Sequence, residues 1–383
     1  MNFEFATAGR IIFGEGTVGT VPALAAESGK HVLLVTGRSR RYASALLGRL
    51  KDQNTRATEF SVSGEPTTET IAEGLNRARE AGCDVVVGIG GGSVMDTAKM
   101  ISALMTNEGD VPDYLEIIGR GKPLARPAAP FIAVPTTAGT GAEVTRNAVV
   151  GSPEHRVKVS MRSHLMLPRY AVVDPELTYD LPRAATAASG LDALTQLMEV
   201  FVSDNANPVT DAVCREGLRR AGSLRTAWED GRDAKARSDM CLAALFSGMA
   251  LANARLGAVH GLAGPLGGMY PAPHGAVCAR LLPFVMEANI TALQARDPDH
   301  TSLCRYEEIA KMLTGRPGAG TEDGLAWVRD LCETLDVPPL AAYGIAETDF
   351  ADIIPKSRRS SSMKGNPIEL TDEELRAILN RAL

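Results

Sequence analysis

Val85-Val86-Val87-Gly88-Ile89-Gly90-Gly91-Gly92-Ser93-Val94-Met95-Asp96-Thr97-Ala98-Lys99 decides how the rest of the chain is read. Val85 to Ile89 is apolar on both faces, the mark of a strand buried inside a parallel sheet. The glycines after it permit a sharp turn and leave backbone N–H groups uncovered. Ser93 is placed to cap a helix running from Val94 to Met105. Strand, glycine turn and helix N-terminus together make a cradle for a phosphate group. A tight turn that binds nothing would use the same residues. The register departs from Gly-x-Gly-x-x-Gly, because Ser93 stands where the third glycine belongs. No Lys-Ser/Thr pair follows, so this is not a Walker loop.

Working outward, strands alternate with helices. Arg10 to Phe13 reads as a strand, Thr17 to Ser28 as a helix, and His31 to Thr36 as a strand. Tyr42 to Gln53 is an amphipathic helix with Leu46, Leu47 and Leu50 on one side. Ala57 to Val62 is a strand and Thr68 to Ala81 a helix. Beyond the glycine turn come strands over Phe131 to Val134, Asn147 to Val150, Arg156 to Ser160 and Tyr170 to Asp174. This order predicts a mostly parallel, doubly wound α/β sheet. After Asp174 the pattern changes to Ala, Leu and Met at helical spacing, as in Asp192 to Phe201, Pro208 to Trp228 and Arg237 to Leu256. Thr371 caps a final helix. The expected division is an α/β domain over residues 1–180 and an all-α domain over 181–383.

The bulk numbers narrow the partners. The chain has 383 residues, 45% of them hydrophobic, enough for two cores. The net charge of −6 argues against nucleic acid as a partner. No apolar run approaches a membrane span, and the N-terminus carries no signal peptide pattern. The six cysteines are scattered without Cys-x-x-Cys, which fits buried, reduced thiols in a cytoplasmic protein.

Chemistry-bearing residues cluster in the helical half. Asp192 and Gln196 are four apart on a predicted helix and share its face. His260 and His274 each precede a glycine, which places them at helix ends or in loops. An Asp with two His can hold a divalent ion such as Fe²⁺ or Zn²⁺. Two satisfied structural histidines would look the same from spacing alone. His31, His155, His164 and His300 read as structural.

Taken together, these pieces resemble the iron-containing alcohol dehydrogenase family. The resemblance is carried by Gly64-Glu65-Pro66-Thr67, by Gly90-Gly91-Gly92-Ser93 with Asp96 and Lys99, and by Pro135-Thr136-Thr137-Ala138-Gly139-Thr140-Gly141-Ala142-Glu143-Val144-Thr145. Lys158, Val173-Asp174-Pro175-Glu176-Leu177-Thr178, Gly190-Leu191-Asp192-Ala193-Leu194-Thr195, His260-Gly261 and Pro273-His274-Gly275 continue it in family order. The resemblance implies a dinucleotide-binding α/β domain, a helical domain, and a site between them. It implies that Gly91, Gly92 and Ser93 hold the cofactor pyrophosphate, with Asp96 nearby. Thr136, Thr137 and Thr140 line the nicotinamide side, and Asn147 and Lys158 contact ribose. Asp192, His260 and His274 match three metal ligands and are the expected catalytic residues. A homodimer or larger assembly is implied as well.

Two departures stand out. The family usually has His where this chain has Gln196, so Gln196 is expected as the fourth ligand, a neutral and poorer donor. It also commonly has a second His four residues after the first, where this chain has Gly264. The loop after the second strand, Gly37-Arg38-Ser39-Arg40, lacks the acidic residue that favours NAD. Arg38 or Arg40 could pair with a 2′-phosphate, or both could be merely solvated; the expectation is a site that accepts NADP as well as NAD. The expected function is an NAD(P)- and metal-dependent alcohol dehydrogenase or aldehyde reductase acting on a small molecule. Two alternatives compete with it. One is a metal-free reductase resembling maleylacetate reductase, favoured by Gln196. The other is a nucleotide-binding protein without turnover.

Overall fold

The structure is a computed structural model and describes residues 2–155 and 157–383. Arg156, which opens one of the expected strands, lies outside them. The chain forms two compact units. One comprises Ala6–Thr137 and Gly141–Tyr179; the other comprises Asp180–Leu383 together with Ala138–Thr140.

The first unit is built on a six-stranded sheet. Its strands are β1 (Arg10–Phe13), β2 (His31–Gly37), β3 (Arg56–Val62), β4 (Val85–Gly90), β5 (Phe131–Pro135) and β8 (Tyr170–Val173). The spatial order is β1-β8-β5-β4-β2-β3, every pairing parallel. Both faces are covered, and the pleat sorts side chains between them. Leu33, Val35 and Val86 enter one core, while Val32, Leu34, Val85, Val87 and Ile89 enter the other. That is why β4 reads as a continuous apolar run rather than an alternating one.

Local chemistry sets the element ends. The helix Thr68–Ala81 begins where Thr67 accepts a hydrogen bond from the Thr70 amide, and it stops at Gly82, whose φ is +67°. The helix after β4 starts earlier than the sequence reading placed it. It spans Gly92–Met105 with Gly91 at the cap position and no side-chain cap, so Ser93 lies inside the first turn. The helix can settle on the sheet because Gly88 has no side chain: a Cβ there would stand 2.9 Å from the Cβ of Ala98. Asn147–Ser152 (β6) and Val157–Arg162 (β7) do not join the parallel sheet. They pair with each other as an antiparallel hairpin.

Lys99 ties this hairpin down. It is fully buried, and its Nζ donates to Ala142 O (2.7 Å), Thr145 Oγ1 (2.8 Å) and Asn147 O (2.8 Å). Burial pushes the ammonium down to about 8, against the pull of Asp96 and Glu143. Burial likewise raises the Glu143 carboxyl to about 7, opposed by its own backbone hydrogen bond and by Lys99. Between the ordinary carboxyl value and about 7 the folded chain therefore holds a proton that the unfolded chain has released. Stability falls as pH rises through that window, by about 3 kcal/mol. Glu143→Gln is expected to flatten this fall, read by urea unfolding at about pH 5 and about pH 8.

The second unit is helical. Its long helices include Arg183–Val202, Pro208–Ala221, Ala234–Asn253, Ala258–Met269 and His274–Arg296. The expected single helix over Pro208 to Trp228 is broken at Gly222 and Ser223, and a short helix, Leu224–Glu229, follows. His274–Arg296 is long and apolar enough, by length and composition alone, to cross a membrane. Its apolar window is 72% buried within the protein, which accounts for its composition. Thr371 and Glu374 cap the last helix, Asp372–Ala382, reciprocally.

Candidate functional site

In the first unit the chain leaves the carboxyl end of β4, an interior strand, through the glycine turn. Open parallel sheets bind ligands outside this end. The first intrahelical bonds run from the amides of Val94 and Met95 to Gly91 O. The amides of Gly92 and Ser93 therefore stand at the open, positive end of the helix. The Thr136 amide donates to Gly90 O at 2.9 Å, which brings Thr136 and Thr137, just after β5, beside the turn. The Asp96 carboxylate accepts from the Val149 amide at 3.2 Å and so links the helix to β6. Asn147 opens β6, and Lys158 on β7 forms an ion pair with Glu65. Thr140 belongs to the helical unit instead. In the loop after β2, Arg40 pairs with Glu59, so a carboxylate does stand near that loop, while Arg38 is exposed.

The helical unit brings Asp192, His260 and His274 together. Asp192 sits mid-way along Arg183–Val202, His260 in the first turn of Ala258–Met269, and His274 at the first position of its helix, after Pro273. Asp192 Oδ1 lies 3.4 Å from His260 Nε2 and 3.8 Å from His274 Nε2. The two rings are 5.3 Å apart between centroids. The close approach depends on Gly275. A Cβ there would stand 2.4 Å from Ala188 O and 3.4 Å from Asp192 Cβ.

Asp192 is 2% exposed, yet its Oδ1 makes no hydrogen bond. A buried carboxylate oxygen left without a donor is costly, and a cation among these groups would satisfy it. Oδ2 is accounted for: Gln196 Nε2 donates to it at 3.0 Å. The other end of that amide is engaged as well, because Gln196 Oε1 accepts from Ser247 Oγ at 2.9 Å. Gln196, expected as a fourth donor, thus turns its oxygen to Ser247 and its nitrogen to Asp192.

Two residues escaped the sequence reading. Glu199 accepts from His260 Nδ1 at 2.6 Å through Oε2, and from the Val259 amide at 2.6 Å through Oε1. It thereby caps the helix and orients the ring, with Nδ1 turned to Glu199 and Nε2 turned to Asp192. Cys278 is buried, its Sγ 3.7 Å from His260 Nε2 and 3.6 Å from His274 Nε2. One donor atom from each of Asp192, His260, His274 and Cys278 lies within 4.8 Å of the others. Both signals were present as spacing. Asp192, Gln196 and Glu199 follow an i, i+4, i+7 pattern, and His274 and Cys278 are i, i+4. All six cysteines are free; Cys304 is exposed rather than buried.

The electrostatics are those of a coupled cluster. Burial acts to raise the Asp192 carboxyl, but His260 and His274 outweigh it and hold it below its ordinary value. Burial likewise acts to raise the Cys278 thiol, and the same two imidazoles bring it down. His274 is raised by Cys278 first, against burial. Its side chain is 36% exposed, whereas those of Asp192 and His260 are 3% and 6% exposed, so the cluster opens on the His274 side. Glu199→Gln is expected to weaken divalent-ion affinity by roughly 10–100-fold, because an amide cannot accept from both Nδ1–H and the Val259 amide. Competition titration against a chelating dye measures this.

Comparison with known proteins supplies the family. Residues 8–175 match the model of the iron-containing alcohol dehydrogenases, and residues 186–383 match the C-terminal model of the Fe-containing alcohol dehydrogenase family. The chain is 36% identical over 379 residues to alcohol dehydrogenase 4 of Saccharomyces cerevisiae, covering 97% of this chain and 96% of that one. Among solved structures, a 1,3-propanediol oxidoreductase superposes with a TM-score of 0.92 at 34% identity, over 100% of both chains. The sulfoacetaldehyde reductase of Bifidobacterium kashiwanohense, solved in complex with NAD+, gives 0.87 at 28% identity, over 100% of this chain and 99% of that one. Matched in both halves and nearly end to end, the chain belongs to the iron-containing alcohol dehydrogenase family and is an oxidoreductase.

Proposed function

We propose that this chain is a divalent-metal-dependent dehydrogenase that transfers hydride between a small alcohol or aldehyde and NAD or NADP. The observation that carries the reading is the buried, unpaired Oδ1 of Asp192 beside two imidazole nitrogens. Asp192, His260 and His274 hold the ion, and Glu199 and Gln196 orient two of those ligands. When bound, a divalent ion supplies Lewis acidity to the substrate oxygen and eases loss of its proton. The open side at His274 admits that oxygen. The amides of Gly92 and Ser93, with Gly91, receive the pyrophosphate, and Asp96, Thr136, Thr137, Thr140, Asn147 and Lys158 complete the cofactor's surroundings. The hydride chemistry itself belongs to the nicotinamide.

Arg38 supports acceptance of a 2′-phosphate, and the NAD+ held by the related reductase supports NAD; the reading keeps both. Gly264 has open space where a Cβ would stand, so no side chain at that position supplies a proton path. Six free thiols suit a reducing cytoplasm, and the family resemblance suits a homodimer. The test is a panel of primary alcohols and aldehydes, followed by nicotinamide absorbance with each cofactor. Oxidation of short-chain alcohols or diols is expected. Silence with every substrate and both cofactors would return the chain to nucleotide binding without turnover.

A further inference from the structure

We propose that Cys278 is a ligand of the same ion, and that the resulting Asp192–His260–His274–Cys278 donor set makes this centre favour zinc over iron(II). The inference rests on the metal-dependent reading above and adds to it the fourth donor and the choice of ion.

The first argument is donor count. Gln196 stands where the family resemblance expects a fourth imidazole, and both ends of its amide are engaged by Asp192 and Ser247. Cys278 lies one helical turn beyond His274, on the same face, and is buried. The sulfur thus stands on the opposite helix from Gln196 and faces the same pair of rings.

The second argument is shape. Zinc bonds of about 2.0–2.1 Å to N or O and about 2.3 Å to S imply tetrahedral edges of about 3.3–3.6 Å. The corresponding separations here are 3.4 Å and 3.8 Å from Asp192 Oδ1 to the two Nε2 atoms, and 3.7 Å and 3.6 Å from Sγ to the same atoms. These four edges lie within about 0.2 Å of the tetrahedral range, and all four donors lie within 4.8 Å of one another.

The third argument is convergence. Glu199 holds the Nδ1 side of His260, so its Nε2 faces Asp192 Oδ1 and Cys278 Sγ, and His274 Nε2 faces the same two atoms. Asp192 Oδ1 makes no hydrogen bond of its own. A cation among them satisfies all four at once.

The choice of ion follows from donor softness. Thiolate and imidazole suit zinc, whereas a mononuclear iron(II) site is usually built from imidazole and carboxylate. A thiolate and a carboxylate also cancel the charge of a divalent ion, which leaves this centre neutral.

Cobalt(II) titration of the chelator-stripped, reduced protein tests the proposal. Wild type is expected to show visible ligand-field bands together with a near-ultraviolet sulfur-to-cobalt charge-transfer band. Cys278→Ser should keep the former, lose the latter, and bind zinc more weakly by at least the roughly 10–100-fold that loss of an outer partner costs. Zinc should displace cobalt at lower concentration than anaerobic iron(II). Wild-type spectra with ligand-field bands and no charge-transfer band would overturn the role of Cys278 and leave the metal reading standing. No cobalt bands at all would overturn the metal reading itself. Iron(II) displacing as readily as zinc would overturn the preference. Zinc X-ray absorption on the unmodified protein needs no variant: a sulfur shell at about 2.3 Å supports the proposal, and a shell of N and O alone overturns it.

Discussion

Asp192→Ala is expected to lower kcat/KM by roughly 10³-fold or more, with NAD(P) affinity nearly unchanged. The carboxylate is the only anionic oxygen between the two imidazoles, and Gln196 is spent on holding its other oxygen in place. Removing it leaves the two rings and Cys278 without a carboxylate among them and strands the Gln196 amide in a buried site. The cofactor residues other than Thr140 lie in the other unit and should still bind. His274→Ala should behave in the same way, since it takes away the ligand on the open side. Steady-state turnover alongside cofactor titration by fluorescence separates the two effects. Full activity in either variant would remove the metal from the reaction.

Gly275→Val carries the second large effect. Any Cβ at this position meets Ala188 O at 2.4 Å, a backbone atom that cannot rotate away. The helices bearing Asp192 and His274 must then move apart by something like an ångström. Overpacking of this kind costs about 1–3 kcal/mol in stability. A displacement of that size among reacting groups costs on the order of 10²-fold in rate. Ion affinity should fall in parallel, because the spacing of the donors is what the glycine permits. Thermal unfolding, metal titration and kcat/KM measured on one preparation would show all three. A variant that unfolds normally, binds the ion normally and turns over normally would mean that the interhelical contact has no part in the site.

The sheet was legible because parallel strands advertise themselves. Val85 to Ile89 has no polar face to hide, and Thr67 and Gly82 bracket a helix with cap and stop. The hairpin Asn147–Ser152 with Val157–Arg162 was legible as strands but not as a separate antiparallel pair. Lys99, distant in sequence, donates to Asn147 O and Thr145 Oγ1 where the hairpin begins, a contact that spacing along the chain does not announce. Ser93 misled because a serine before an apolar run usually caps, whereas here the backbone of Gly91 already begins the helix.

Around the Asp192 cluster, His260 and His274 stood out as rare polar residues beside glycine, and Asp192 as sharing a helix face with Gln196. Glu199 and Cys278 did not, since a residue at helical spacing on an apolar helix reads as part of its buried face. Only tertiary distances reveal that Glu199 meets a ring nitrogen and that the sulfur faces two imidazoles.

The central claim is that turnover depends on an ion held by Asp192 and the two imidazoles. Its most direct test is metal content set against activity, on protein purified without chelators. The account predicts about one divalent ion per chain, with activity declining in proportion as the ion is stripped and returning when it is restored. Undiminished turnover in protein that contains no bound metal would contradict it.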